Sequence, residues 1–224
     1  MTWSSPGARV LVALMVLGLS APTSASEKID PALMSGLGEA HYHRLESEIL
    51  GRGFHLFVRL PESYGDRPEF RFPVAVLLDG GTTFPLLAAY YRYLSLAGEV
   101  PDMVLVGLGY GAERREDGNM RGTDFTAESA EREHYGGAPR FLEVLRRELL
   151  PLIEDRYRVD PRRRILFGQS LGGQFVIYSA SAAPDLFWGH IASNPAVHRN
   201  LELFLRRPAA TDSAPVAKLF VASA

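Results

Sequence analysis

The chain has 224 residues, 46% of them hydrophobic and 22% charged, and a formal net charge of −2. That is room for one domain with a sizeable core, and so balanced a charge gives no basis for nucleic acid or an anionic membrane as partner. The absence of cysteine excludes disulfides, thiolate metal sites and a lipid-modified cysteine.

The first feature in chain order is a targeting segment. Arg9 supplies a positive flank, residues 10–19 an apolar run, and Ala21-Pro22-Thr23-Ser24-Ala25-Ser26 a stretch of small residues suited to cleavage. The apolar run is about ten residues, half of the roughly 20 needed to span a bilayer, so no stable membrane insertion is expected. Residues 1–25 read as a signal peptide cleaved after Ala25 or Ser26, the alternative being an uncleaved interfacial anchor. This places the mature protein in the periplasm or outside the cell. Without disulfides it must rest on its core alone, which fits a bacterial periplasmic enzyme better than a small secreted scaffold.

Residues 41–60 predict two strands with a turn at Gly51-Arg52-Gly53. Phe54, Leu56, Val58 and Leu60 alternate with His55, Phe57 and Arg59, the period-two signal of a half-buried strand. Residues 61–73, rich in Pro, Gly, Asp and Glu, form a loop. Val74-Ala75-Val76-Leu77-Leu78 is the continuous apolar run of a strand covered on both faces, and it ends at Asp79-Gly80-Gly81. A helix over 84–97 and a buried strand over 103–108 follow. The polar, glycine-rich stretch from Gly109 to Gly137 is long enough to be a functional loop. Pro139 opens a helix whose Phe141, Leu145, Leu149 and Leu152 share one face, with a kink expected at Pro151. Strands over 165–167, 187–193 and 218–222, and a helix beginning at Leu171, complete the pass. The clusters Arg162-Arg163-Arg164 and Arg206-Arg207 flank predicted elements and read as solvated ends. Alternating buried strands and amphipathic helices imply an α/β protein, with a mostly parallel sheet and helices on both faces. Ligands then bind beyond the carboxyl ends of the strands, where the loops after Leu78, Leu108 and Phe167 open.

Gly168-Gln169-Ser170-Leu171-Gly172 reads G-x-S-x-G directly after the apolar run Ile165-Leu166-Phe167. Strand, glycine-flanked turn, then helix is the nucleophile elbow of a serine hydrolase, in which the glycines make room for a serine held in strained backbone geometry. The alternative is a structural Gly-Ser-Gly turn. Acyl transfer by serine needs an activated hydroxyl, a base, and donors for the oxyanion. Ser170 is the hydroxyl. The N–H of Leu171, at the start of the helix, is one donor. Gly81, in the loop Asp79-Gly80-Gly81-Thr82, is nominated for the other, with Thr82 next to it. Thr82, Gln169, His198 and Arg121 are candidate substrate-binding residues. Of the six histidines, His41, His43 and His55 fall in or near early strands, where surface or pairing roles are expected. His134 in the long loop is able to face the site, His190 falls inside a predicted strand as a packed core residue, and His198 follows the strand that ends at Asn194-Pro195. Nothing resembles a metal-ligand cluster or a phosphate-cradling loop, so no cofactor is expected.

Four stretches carry a family resemblance: Val76-Leu77-Leu78-Asp79-Gly80; Arg121-Gly122-Thr123-Asp124-Phe125-Thr126; residues 141–157; and residues 167–173 around the serine. Together with Ser193-Asn194-Pro195 they make the chain resemble the "Putative esterase" family of α/β-hydrolases, which includes enterochelin-type trilactone esterases, the esterase D group and mycolyltransferases. The resemblance implies an α/β-hydrolase domain over residues 38–224, Ser170 as nucleophile, and N–H groups near Gly81 and Leu171 as the oxyanion hole. Arg121 and Asp124 become loop residues near the pocket, and His198 falls where relatives often carry an aromatic residue at its mouth. The resemblance also places the catalytic acid after the strand over 218–222 and the histidine one strand later, both beyond Ala224. The domain is therefore expected to be incomplete, lacking the last strand and helix, with an exposed apolar edge near Ala222. The implied activity is that of an exported carboxylic-ester hydrolase working through a Ser170 acyl-enzyme on a small or siderophore-type ester. Acyl transfer to an alcohol and a catalytically incomplete domain are the alternatives.

Overall fold

A computed structural model of the chain describes residues 40–130, 132–205 and 217–223. The predicted signal segment over 1–25 and the Arg206-Arg207 pair lie outside the described residues. The strands are β1 (Ala40–Ser47), β2 (Arg52–Arg59), β3 (Phe72–Leu78), β4 (Val104–Gly109), β5 (Val159–Gln169), β6 (Gly189–Ser193) and β7 (Leu219–Ala222). The helices are α1 (Gly80–Leu96), α2 (Arg121–Asp124), α3 (Ala138–Val144), α4 (Leu150–Arg156), α5 (Leu171–Ala182) and α6 (Leu201–Leu205). The strands form one sheet in the order β1-β2-β4-β3-β5-β6-β7; the β1–β2 and β2–β4 pairings are antiparallel, and the β4–β3, β3–β5, β5–β6 and β6–β7 pairings are parallel.

The apolar runs land at the centre. Every residue of β3 and β4 is buried, as expected of strands covered on both faces. Alternation then divides the side chains between two cores. Val74, Val76, Leu78, Val104, Val106 and Leu108 pack with Phe141 and Phe175 of α3 and α5 on one face. Ala75, Leu77 and Leu105 meet Phe84, Ala88 and Tyr91 of α1 on the other. Phe125 ties the long loop into the first core, with its ring 5.4 Å from Phe141 and 5.8 Å from Phe175. Each such fully buried ring contributes about 1.5–3 kcal/mol, so the loop is anchored near its middle.

Two local expectations change, and a third takes a specific form. Helix α1 starts at Gly80, not at residue 84, because Asp79 turns the chain with left-handed backbone (φ 55, ψ 42) and its carbonyl accepts the Thr82 and Thr83 N–H groups at 2.8 and 2.9 Å. Only glycine fits at position 80, where a β-carbon would lie 2.5 Å from the backbone of Gly107 and Leu108. At Pro151, where a kink is expected, the helical run continues into α4. The preceding residues Leu145–Leu149 widen to a π turn, which removes the clash a proline ring makes with the carbonyl four residues earlier. Arg162-Arg163-Arg164 lies inside β5, which runs from Val159. Arg163 Nε donates to Asp160 at 2.8 Å and Arg164 Nε to Glu154 at 2.8 Å, so charge pairing replaces apolar alternation there. Among the described residues, β7 is the outer strand, and its Leu219, Phe220 and Val221 are exposed. No helix among the described residues is long and apolar enough to cross a membrane.

Candidate active site

The carboxyl ends of β3, β4 and β5 meet around a cavity of about 550 Å³. Asp79, Gly81, Thr82 and Thr83 line it from the β3 end, Gly109, Tyr110 and Gly111 from the β4 end, and Gln169 and Ser170 from the β5 end. Asn119 and Arg121 of the long loop and Phe57 of β2 close its sides. This is the edge at which an open parallel sheet binds ligands.

Ser170 stands at a tight turn, with φ 56 and ψ −117, and is exposed to the cavity. Such a conformation costs a non-glycine residue about 1–3 kcal/mol and persists only where the surroundings enforce it. They do so through the backbone. Ser170 N–H donates to Ser193 O, and Ser170 O accepts the N–H groups of Gln174 and Ala196, all at 3.0 Å. Gly168 is required by contact, since a β-carbon there would stand 2.3 Å from the Gly172 carbonyl oxygen. The Leu171 N–H, first in α5, and the Gly81 N–H, second in α1, have by position no acceptor within their own helices. The Thr82 N–H is engaged by Asp79 O, so Thr82 offers the cavity its side chain.

Arg121 comes from α2 and places Nε and Nη2 on the two carboxylate oxygens of Asp79 at 2.7 and 2.8 Å. Burial lowers the pKa of its guanidinium, and the Asp79 hydrogen bond and charge more than offset this. Asp124, 1% exposed, does not reach the cavity. It accepts from Arg52 through both oxygens and from the Tyr110 hydroxyl at 2.9 Å. Burial, with Asp124 beside it, drives the Tyr110 phenol well above its ordinary pKa. Burial also raises Asp124 itself, against the pull of Arg52. The long loop is thus held by two ion pairs, one at each end of α2. Asp79, Asn119, Tyr110 and Phe57 are site residues that sequence reasoning misses. Their signal is non-local: Arg121 and Asp79 are 42 residues apart.

The histidines lie elsewhere. His43 hydrogen-bonds Tyr157 and Arg156, and His55 hydrogen-bonds Tyr42 and Arg44. His41 packs edge-on against Tyr157. His134 lines a different cavity with Arg115 and Thr123. His190 is buried and lies 3.4 Å from Ser179 Oγ. His198 is exposed on the turn Val197–Asn200 and does not line the cavity beside Ser170. None of the six hydrogen-bonds Ser170. Among the described residues, no group of three or more His, Asp or Glu side chains is placed to hold a metal ion.

Comparison with known proteins sets this geometry among relatives. The chain is 32% identical over 178 residues to the ferri-bacillibactin esterase BesA of Bacillus subtilis (strain 168), covering 73% of this chain and 60% of that protein. It is 26% identical over 171 residues to the apo-salmochelin esterase of Escherichia coli O6:H1 (strain CFT073), covering 72% of this chain and 52% of that one. Among solved structures, the IroE-like serine hydrolase of Shewanella oneidensis superimposes with a TM-score of 0.66 at 27% identity, covering 75% of this chain and 54% of the other. The chain thus spans between half and two thirds of the length of these relatives. The sheet order and the helices on both faces are those of an α/β-hydrolase. With the model of the family described as "Putative esterase" matching residues 47–206, the chain belongs to that family.

Proposed function

We propose that this protein is an exported serine carboxylic-ester hydrolase that works through a Ser170 acyl-enzyme on esters of the siderophore type. The observation that carries the reading is Ser170 itself, strained at the tip of the elbow, open to the cavity, and followed by a helix start whose first N–H has by position no acceptor in its own helix. In the proposed reaction Ser170 Oγ forms a bond to the ester carbonyl carbon while its proton passes to a base, and the carbonyl oxygen becomes an oxyanion facing the Gly81 and Leu171 N–H groups. Collapse expels the alcohol with a proton, and water then releases the acid from Ser170. The substrate class rests on the relatives, two of which are named as esterases of ferri-bacillibactin and apo-salmochelin. Export rests on the segment over residues 1–25.

A second reading, a hydrolase domain that binds esters without turning them over, is favoured by one observation: none of the six histidines hydrogen-bonds Ser170. A fluorophosphonate probe and a p-nitrophenyl ester separate the two. The hydrolase reading expects covalent labelling and ester cleavage, both abolished by Ser170→Ala. Labelling unchanged in Ser170→Ala removes Ser170 as nucleophile. Labelling without cleavage above background supports the second reading.

A further inference from the structure

Asp79 sits where the three parts of the site touch. Its carbonyl closes the first turn of α1 by accepting the Thr82 and Thr83 N–H groups. Its carboxylate reaches the elbow, because a β-carbon on Gly172 would lie 3.4 Å from Oδ2. The same carboxylate is gripped side-on by Arg121 of the long loop. Arg121 is itself fixed. Its N–H donates to Asn119 Oδ1 at 3.1 Å, Asn119 Nδ2 donates to Ala112 O at 3.0 Å, and the guanidinium lies 5.6 Å from the Phe125 ring centroid.

This arrangement has two physical consequences. Asp79 holds left-handed backbone (φ 55) without being glycine, a conformation that needs outside support. The forked, charge-assisted contact with Arg121 supplies that support, and the orientation of the next peptides, through Gly81, depends on it. In addition, a lone carboxylate lining the cavity would repel a developing oxyanion. Paired with Arg121, it presents little net charge.

We propose that Asp79 and Arg121 form a positioning pair that orients the Gly80–Gly81 peptide for the oxyanion and ties the long loop to it. The proposal rests on Ser170 as the nucleophile, but its geometric half is tested without any reaction. Hydrogen exchange by mass spectrometry on the full chain, wild type against Arg121→Gln, reads protection over residues 79–84. The expected result is a loss of about tenfold or more there, with peptides of β6 and the end of α5 unchanged. Arg121→Lys, which keeps the charge but not the fork, restores part of it and serves if Arg121→Gln does not fold. Alongside, Ser170 labelling by the fluorophosphonate slows about 10- to 100-fold in Arg121→Gln. It recovers in part in Asp79→Asn/Arg121→Gln, where the uncompensated carboxylate is gone. Protection within about twofold of wild type at 79–84 overturns the proposal. Slower labelling with unchanged protection also overturns it, by assigning Arg121 to direct binding. If wild type is never labelled, the hydrolase reading fails and the exchange result alone decides the pair.

Discussion

A β-carbon on Gly168 would stand 2.3 Å from the carbonyl oxygen of Gly172, so the strand entering the elbow and the helix leaving it touch backbone to backbone. Neither side can yield without moving the serine between them. Gly168→Ala is therefore expected to cost about 1–3 kcal/mol, as overpacking does, and to slow fluorophosphonate labelling of Ser170. Thermal unfolding together with labelling kinetics checks both, and a variant with wild-type values for each would disprove the contact.

The strain at Ser170 predicts the opposite sign for its own replacement by glycine. Ser170→Gly relieves a positive φ that serine tolerates poorly, and stability should rise by about 1 kcal/mol, or roughly 2–4 °C in melting temperature. Ser170→Ala keeps the β-carbon and gains little. Both variants lose labelling. A stability gain confined to the glycine variant is the mark of strain kept for function, and equal melting temperatures for all three proteins would remove that argument.

Arg52 and Asp124 test whether the loop is held by charge. Asp124 is 1% exposed and its partner is about a quarter exposed, so Arg52→Met leaves a buried carboxylate with only the Tyr110 hydroxyl. The expected loss is about 3 kcal/mol in urea unfolding. Arg52→Met/Asp124→Asn should recover most of it, because a neutral amide still accepts from Tyr110. A double variant no more stable than Arg52→Met would show that the charge is not what matters.

His190 predicts a pH dependence. Burial lowers its pKa from 6.5 to about 4. The unfolded chain takes up this proton as pH falls through 6.5, and the folded chain does not until about pH 4. Across that window the unfolded state binds more protons, so stability declines toward acid, by an amount of order 3 kcal/mol for the full shift. Above pH 6.5 the group contributes no slope. His190→Gln should flatten the profile between pH 6.5 and 4, as measured by urea unfolding at a series of pH values. An unchanged acid slope would assign it to other groups.

What the sequence determined by itself is local in origin. Continuous apolar runs marked β3 and β4, and period-two alternation marked β2. The glycine spacing around Ser170 marked the elbow, because these patterns record the sterics and burial of a few neighbouring residues. The start of α1 and the length of β5 escaped that reading for the same reason. One depends on how closely Gly80 can approach Gly107, the other on the pairing of Arg164 with Glu154. The tertiary structure alone decided which loops meet. It brought Arg121 onto Asp79 across 42 residues and Arg52 onto Asp124 across 72, turned Asp124 away from the cavity, and set all six histidines out of hydrogen-bond reach of Ser170. Charge pairing acts through space at a few ångströms, and only the order of strands in the sheet determines which side chains come that close.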